Sequence, residues 1–244
     1  MEIRPRKAYH PPLPQLTSFM PPHGRQSALR YPLTQILGGN ANIRALRELF
    51  RHGGELAAPS IVSRTGLAKA SVRHSLGQLQ DLKIVESVGF RRTRLFKIRR
   101  EHPFFDLLSL LFQAERDRFE NIIKAIGEAS DQFGGVLAVW LYGSVSRGED
   151  QPNSDIDVAV AVRWGDVTEI ERSFKAKLAN SEEKLDFAAS LVVIDANDIL
   201  RLSGEDDPWW TSLVEDALVI RGERPASAAS RLRRSPDLQS ADAP

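Results

Sequence analysis

The chain has 244 residues, enough to bury two modest cores, and its lack of cysteine excludes disulfides, thiolate metal sites and a cysteine nucleophile. The net charge of +1 conceals a division: residues 1–100 hold 18 Lys and Arg against 5 Asp and Glu (+13), whereas residues 101–244 hold 15 against 27 (−12). Such asymmetry suggests separate partners for the two parts, and nucleic acid is the usual partner of a basic segment.

The first residues of the chain indicate an arm without a core. Residues 1–34 are rich in proline and show no sustained hydrophobic periodicity, which predicts a disordered segment. The same stretch is too basic and too rich in proline to be an apolar signal core, and the chain contains no run of eighteen apolar residues. We therefore expect a cytoplasmic protein without a membrane partner.

Residues 35–100 show the spacing of a small helical domain. The pattern becomes helical from Asn42, with apolar residues at helical spacing from Ile43 onwards, and Gly53 ends that first element. A second helix is predicted over Leu56–Thr65 and a third over Lys69–Leu82. Two short strands, Ile84–Val88 and Arg94–Ile98, then flank a basic tip formed by residues 89–93.

The sequence of this segment is similar to that of a known class of domain. The run Gly-Leu-Ala-Lys-Ala-Ser-Val-Arg-His-Ser-Leu over residues 66–76, followed by Leu-x-x-Leu-Lys-Ile-Val over residues 79–85, resembles winged helix-turn-helix domains of bacterial transcriptional regulators. The resemblance implies that residues 35–100 bind double-stranded DNA, with the third helix in the major groove. The residues expected to contact DNA are Lys69, Ser71, Arg73 and His74 on that helix, and Arg91, Arg92 and Arg94 on the hairpin. Use of the same fold for protein contacts or dimerisation stays open.

The remaining chain predicts connecting helices and a second domain. Residues 101–133 are expected to form connecting helices, the longer of which runs from Ala114 to Phe133. Residues 134–222 then read as the second domain, and residues 223–244 as a disordered tail. The predicted elements of that domain are strand Val136–Tyr142, a Gly-Ser turn, strand Ile156–Val162, helix Thr168–Asn180, strand Phe187–Ile194, a helix near Asp207–Glu215 and a short strand Ala217–Ile220.

The segment Leu141–Val160 carries the strongest chemical pattern in the chain. Side chains alternate between faces along a strand, so Asp155 and Asp157 are expected to project together. Paired carboxylates suit Mg2+, which in turn binds phosphate oxygens. Gly143 and Ser144 offer backbone N–H groups and a hydroxyl to the same phosphates. A polar turn before a strand is the alternative reading of this segment.

The order Gly-Ser-x-x-Arg-Gly over residues 143–148, followed by Ser-Asp-Ile-Asp over residues 154–157, resembles the nucleotidyltransferase superfamily that includes DNA polymerase β and the minimal nucleotidyltransferases. The resemblance implies an α+β protein whose second domain has a mixed sheet. It also implies that Asp155 and Asp157 are catalytic ligands of Mg2+, while Gly143, Ser144 and Arg147 hold a nucleoside triphosphate, with ATP the expected one. Arg147 either neutralises charge there or braces the loop by pairing with Glu149 or Asp150, and both interpretations stay open.

One residue of the family pattern is missing. The family usually adds a third carboxylate on the following strand, but Phe187–Ile194 contains no acid, and the slot matches Ser190 or Val192. Asp186 and Asp195 flank the strand and could be recruited only in a different register, since a slip of one residue reverses the facing of every side chain.

These observations lead to one functional hypothesis with two alternatives. The hypothesis is a DNA-binding protein that uses Mg2+ to transfer a nucleoside monophosphate from a triphosphate to an unknown acceptor. One alternative is a transcriptional regulator whose transferase-like domain senses nucleotide without turnover. The other is an antitoxin-like partner that modifies or blocks another protein. Pairing of two copies on a symmetric DNA site is a further expectation.

Overall fold

The computed structural model describes residues 39–90, 94–163 and 167–234. These residues form one antiparallel sheet and one mixed sheet, both packed with helices. The predicted arm over residues 1–34, the candidate DNA contacts Arg91 and Arg92, and the tail beyond residue 234 lie outside these ranges. Within the described ranges, none of the helices combines the length and the apolar character needed to cross a membrane.

The N-terminal part contains three helices and a three-stranded antiparallel sheet of order β1-β3-β2. Its elements are α1 (Asn40–His52), β1 (Leu56–Ala57), α2 (Ala58–Thr65), α3 (Lys69–Asp81), β2 (Val85–Val88) and β3 (Leu95–Ile98). Gly53 and Gly66 end α1 and α2 in the left-handed conformation, with φ of 70° and 64°, which favours glycine. The three helices and the sheet together enclose one hydrophobic core, as the apolar spacing predicted.

One boundary in this part differs from the prediction. Leu56 and Ala57, expected to begin the second helix, instead form β1 and pair with Phe96 and Leu95 of β3. Leu56 is buried in the core, and Pro59 then occupies the first turn of α2, where its missing N–H costs no helical hydrogen bond. Tertiary pairing with β3 therefore moves the start of the helix by two residues.

Residues 101–133 form one helix where connecting helices were expected. Helix α4 (Phe105–Asp131) is 27 residues long, because no proline interrupts its apolar periodicity. Its first half contributes Phe112 to the N-terminal core, and its second half contributes Phe119 and Ile122 to the core of the next domain. The helix thus belongs to both cores.

The second sheet has four strands in the order β6-β5-β4-β7, with β5 and β6 parallel and the other pairs antiparallel, so the expected mixed sheet is present. One face packs against α4 and α6, and the other against α7, α8 and α9. The elements are β4 (Val136–Tyr142), α5 (Gly143–Arg147), β5 (Ile156–Val162), α6 (Val167–Leu185), β6 (Ala189–Ile194), α7 (Ala196–Leu202), α8 (Pro208–Asp216), β7 (Leu218–Gly222) and α9 (Pro225–Arg234).

The predicted disordered tail over residues 223–244 is wrong for residues 225–234, which form α9. Ala228, Ala229 and Leu232 of this helix are buried against the sheet. Trp140 of β4 also donates a 2.7 Å hydrogen bond from its indole N–H to the Glu223 carbonyl, which holds the chain ahead of the helix. The small side chains of α9 pack closely enough to form a core face, although their composition resembles that of a tail.

Two further elements were not predicted. The Gly-Ser turn is the first turn of the short helix α5, and α7 follows β6 directly. Helix α7 begins with a capping box in which the Asp195 carboxylate accepts from the Asp198 backbone N–H at 2.8 Å.

Candidate functional site

The two aspartates lie at the start of β5, which is an inner strand of the mixed sheet. Between them, Ile156 is fully buried, whereas Asp155 is exposed and Asp157 is half-buried. Asp157 is paired with Tyr142 of β4 on one side and with Ser190 of β6 on the other. The strand alternation therefore brings the two carboxylates to one face at the edge of the core, as the sequence predicted.

The surroundings of Asp157 favour the protonated form of its carboxyl. Burial raises the pKa of the Asp157 carboxyl above its usual range, and the charge of Asp155 raises it further. The charge of Arg147 and a hydrogen bond from Ser190 act in the opposite direction. The balance leaves two carboxylates whose mutual repulsion a bound cation would relieve.

Gly143 lies directly against the Asp157 carboxylate. Its φ is 73°, and a Cβ atom at this position would lie 3.0 Å from the Asp157 Cγ and closer still to one of the carboxylate oxygens. Only glycine allows both the backbone conformation and this approach. The Ser146 hydroxyl donates to the Gly143 carbonyl at 2.8 Å and holds the start of α5 in place.

Arg147 is held between two acidic side chains. Its Nε donates to Glu149 Oε2 and its Nη1 to Asp216 Oδ2, both at 2.7 Å, and these two carboxylates raise the pKa of the guanidinium. The bracing interpretation is thus observed with Glu149 as one of the partners. Asp216, on α8, is a site residue that sequence reasoning missed, because it is 69 residues away and no local pattern marks it. Ser144, between Gly143 and Arg147, is half-buried on α5.

Ser190 and Val192 are the two positions matched to the third carboxylate of the family pattern, and Ser190 is the one that neighbours Asp157. It lies directly opposite Asp157 in the parallel register, and its hydroxyl donates to the Asp157 carboxylate. Asp195 caps α7 at the other end of β6. Asp186 lies near Arg118, whose Nε donates to the Leu185 carbonyl at 2.8 Å. Across the residues that the structure describes, no group of three or more His, Asp or Glu side chains could hold a metal ion.

A second candidate surface lies on α3. The core-facing side chains of this helix are Val72, Ser75, Leu76 and Leu79. The four residues singled out from the sequence, Lys69, Ser71, Arg73 and His74, are all exposed. None of them belongs to the core-facing set, so all four side chains are accessible to solvent.

Arg94 lies beside this surface, directly ahead of β3. Its guanidinium donates to Gln80 Oε1 of α3 at 3.2 Å and lies over the Phe96 ring, 5.3 Å from the ring centroid. Gln80 in turn donates to the Ser87 hydroxyl at 3.2 Å. One glutamine of α3 thus contacts β2 and the residue that precedes β3.

Known structures are similar to part of the chain. No curated protein sequence matches the chain. A solved structure described as a toxin-antitoxin with AMP-PNP aligns with a TM-score of 0.35 and 22% identity, over 47% of this chain and 86% of that one. A toxin-antitoxin MntA-HpeT mutant aligns with a TM-score of 0.33 and 21% identity, over 48% and 86%. Similarity at this level does not extend the function of those complexes to the present chain.

The family comparison is more specific. Residues 120–204 match the family model described as Polymerase beta, Nucleotidyltransferase. The matched segment runs from the middle of α4 to just beyond α7, so it includes Asp155, Asp157 and Ser190 but not Asp216. The chain therefore contains a polymerase beta nucleotidyltransferase domain.

Proposed function

We propose that the chain is a DNA-binding protein whose transferase domain uses Mg2+ to transfer a nucleoside monophosphate from a triphosphate, with ATP the expected one, to an acceptor yet to be identified. The observation that carries the proposal is the pair Asp155 and Asp157 on one face of β5, with the backbone of Gly143 packed against it. This arrangement places carboxylates beside a backbone segment that a phosphate chain can approach.

The donor set fits Mg2+. This ion is usually held by one or two carboxylates together with phosphate oxygens and water, so two aspartates are sufficient when a nucleotide supplies the remaining ligands. Burial and the charge of Asp155 raise the pKa of Asp157, and a bound cation would favour its ionised form. When bound, Mg2+ would neutralise phosphate charge and orient the triphosphate for in-line attack.

The residues around the carboxylates divide into two roles. Gly143 and Ser144 lie at the start of α5, and we expect them to offer a backbone N–H and a hydroxyl to the terminal phosphates. The guanidinium of Arg147 is already shared between Glu149 and Asp216, so we assign it to positioning α5 against α8. Its charge still acts on Asp157 and favours the ionised carboxylate.

A sensor that binds nucleotide without turnover is the second candidate, and Ser190 is the observation that favours it. A hydroxyl at this position cannot accept a proton from an attacking group as a carboxylate does. Nucleotide binding needs only the Asp155 and Asp157 side of the site, whereas activation of the acceptor needs the Ser190 side.

The test that separates transfer from sensing uses nucleotides labelled at the α-phosphate. The protein is incubated with Mg2+ and each labelled triphosphate, alone and with cell extract, and label is expected on an acceptor. Asp155→Asn combined with Asp157→Asn should abolish both binding and labelling, while Glu128→Gln, an exposed acid on α4, should change neither. Calorimetric binding of a triphosphate without transfer of label would contradict the enzyme and leave the sensor.

The proposal of DNA binding rests on α3. Three helices followed by an antiparallel hairpin, with basic side chains exposed on the third helix, support a winged helix-turn-helix arrangement. Lys69→Glu with Arg73→Glu is expected to weaken duplex binding and to reduce the slope of log K against log salt by about two. Arg172→Glu, an exposed change on α6, is the control. No binding to genomic fragments at low salt would contradict the assignment.

A further inference from the structure

We propose that Trp209, in the first turn of α8, is the surface on which the base of the nucleotide stacks. This inference rests on the proposed function, and it adds a base-binding end to the same site. Helix α8 lies beyond residues 120–204, the segment that the family model matches. The placement of Trp209 follows from contacts that both ends of α8 make with the residues around the paired aspartates.

Trp209 is separated from the aspartates by a single side chain, that of Tyr142. Tyr142 is the Cα partner of Asp157 across β4 and β5, and directly opposed side chains of paired strands project from the same face of the sheet. The rings of Tyr142 and Trp209 meet edge to face, with centroids 5.7 Å apart and planes at 90°. Trp209 therefore borders the face of the sheet from which the Asp157 carboxylate projects.

The Tyr142 hydroxyl is influenced by both of its neighbours. Burial raises the pKa of Tyr142, a hydrogen bond from the Trp209 side chain lowers it, and the charge of Asp157 raises it. An indole has one N–H and no acceptor, so this hydrogen bond uses the whole polar capacity of Trp209. The rest of its half-buried ring is apolar surface, which suits a stacked base and not a phosphate.

The neighbouring tryptophan has a different environment. Trp210 is only 6% exposed and packs edge-on against Trp140 in the core, with centroids 6.3 Å apart. Trp209, one residue earlier, keeps part of its ring accessible to solvent. Aromatic side chains that line a site beside a few polar groups commonly contact the apolar part of a ligand. The structure thus distinguishes a core tryptophan from one that is available to a ligand.

Helix α8 runs along the site. Asp216, seven residues after Trp209, accepts from Arg147 Nη1 at 2.7 Å, and residues seven apart lie on the same side of a helix. One side of α8 therefore contacts Tyr142, directly ahead of α5, and Arg147, at the end of α5. Seven residues advance a helix by about 10 Å, so α8 forms a wall beside the segment that we expect to hold the phosphates.

The charges ahead of α8 favour one direction for the nucleotide. Glu205 and Asp206 are exposed there, and Asp207 caps the helix. These three acids repel phosphates from this end of the helix, whereas an uncharged base can approach it. The triphosphate is then expected at Gly143 and the base at Trp209. Because stacking gains with the overlapped ring area, purine nucleotides should bind more tightly than pyrimidine nucleotides.

The first experiment compares ATP with inorganic triphosphate, which carries phosphates and no base. Binding of each to the full chain with Mg2+ is measured by calorimetry. Trp209→Ala should lower the affinity for ATP by about 5- to 150-fold, the range for one stacked base, and leave the affinity for triphosphate unchanged. Trp209→Phe should retain most of the ATP affinity, because it keeps an aromatic ring. Val214→Ala, at an exposed apolar residue of the same helix, should change neither affinity.

Two results would overturn the base contact while leaving the proposed function intact. One is an unchanged ATP affinity in Trp209→Ala, and the other is an equal loss of affinity for ATP and for triphosphate. A preference for ATP over CTP is expected in the unaltered chain and should disappear in Trp209→Ala. If the unaltered chain binds neither ATP nor triphosphate, the proposed function itself is overturned, and this inference with it.

The second experiment follows tryptophan fluorescence, since a base stacked on an indole quenches its emission. The chain has four tryptophans, so the contribution of Trp209 is isolated by substitution. ATP with Mg2+ should quench the emission, Trp209→Phe should remove most of the quenching, and Trp210→Phe, in the core, should retain it. Full quenching in Trp209→Phe would overturn the proposal. Circular dichroism and melting temperatures equal to those of the unaltered chain confirm that each variant folds.

Discussion

Ser190 faces Asp157 across the parallel pair of strands β5 and β6, and its hydroxyl donates to the Asp157 carboxylate. The pairing of these two strands therefore places a hydroxyl beside Asp157. The hydrogen bond favours the ionised form of Asp157, which is the form that binds a cation. Ser190 therefore supports the ionised form of Asp157 without adding a carboxylate of its own.

Substitutions of Ser190 should separate the effect of its hydrogen bond from the effect of a carboxylate at the same position. Ser190→Ala removes the hydrogen bond, so the pKa of Asp157 should rise further. Nucleotide binding should then require a higher concentration of Mg2+. Ser190→Asp adds a ligand of the type that Mg2+ prefers and should increase both Mg2+ affinity and the rate of label transfer. Titration of nucleotide binding with Mg2+ measures the first effect, and weaker binding in Ser190→Asp would contradict the placement of this residue in the site.

The titration of Asp157 offers a test in the protein without metal. Because burial and Asp155 raise the pKa of Asp157, its protonated form contributes stability at pH values below the unfolded pKa, and that contribution is lost as the pH rises through the folded pKa. Asp155→Asn removes the like charge and should move the midpoint of Asp157 to lower pH. Carbon-13 NMR of the aspartate side-chain carboxyls follows this midpoint, and an unchanged midpoint would show that the two groups do not interact.

Gly143→Ala should disrupt the site locally. The new Cβ would collide with the Asp157 carboxylate and would require a left-handed backbone, at a cost of about 1–3 kcal/mol for the conformation. We expect loss of nucleotide binding and a lower free energy of unfolding. Gly77→Ala is the control: Gly77 lies within α3 with open space around it, so alanine there should stabilise by about 0.5–1 kcal/mol. Both values are measured by chemical denaturation.

The buried pair Arg47 and Glu115 ties α1 to α4. Arg47 Nε and Nη2 donate to the two carboxylate oxygens at 2.8 and 3.0 Å, and the side chains are only 6% and 3% exposed. Glu115→Leu leaves a buried guanidinium without this carboxylate and should lower the free energy of unfolding by about 3–5 kcal/mol. Adding Arg47→Met should restore most of the loss.

The matched control for this pair is Lys124 and Glu128, on the exposed side of the same helix at 3.5 Å. Glu128→Leu should cost less than about 1 kcal/mol, because an exposed pair is screened by water. Equal losses at Glu115 and Glu128 in chemical denaturation would show that burial of the Arg47 pair is unimportant.

The strands of the transferase domain could be read from the sequence because their signals are local. The bounds Val136–Tyr142 and Ile156–Val162 follow from short apolar runs between turn residues, and the structure has the same bounds. The facing of Asp155 and Asp157 follows from alternation alone. These features depend on neighbouring residues and on no distant part of the chain.

The remaining features depend on tertiary contacts, which explains why they were missed. Leu56 lies in a segment with a helical pattern, but it forms a strand because β3 pairs with it. Ala228 lies in a segment with the composition of a tail, but it is buried because its helix packs against the sheet. Asp216 becomes a site residue only because α8 packs against α5 and presents its carboxylate to Arg147. In each case the deciding partner lies far away in the sequence.

Helix α4 leaves no linker at which the chain could be divided into two folded fragments. Phe112 completes one core and Phe119 completes the other, with only two turns of helix between them. A fragment that ends or begins between these residues would expose one wall of a core and lose the register of the shared helix. The two halves should therefore lose structure in a single coupled transition, and a protease acting on the folded protein should find no linker between them.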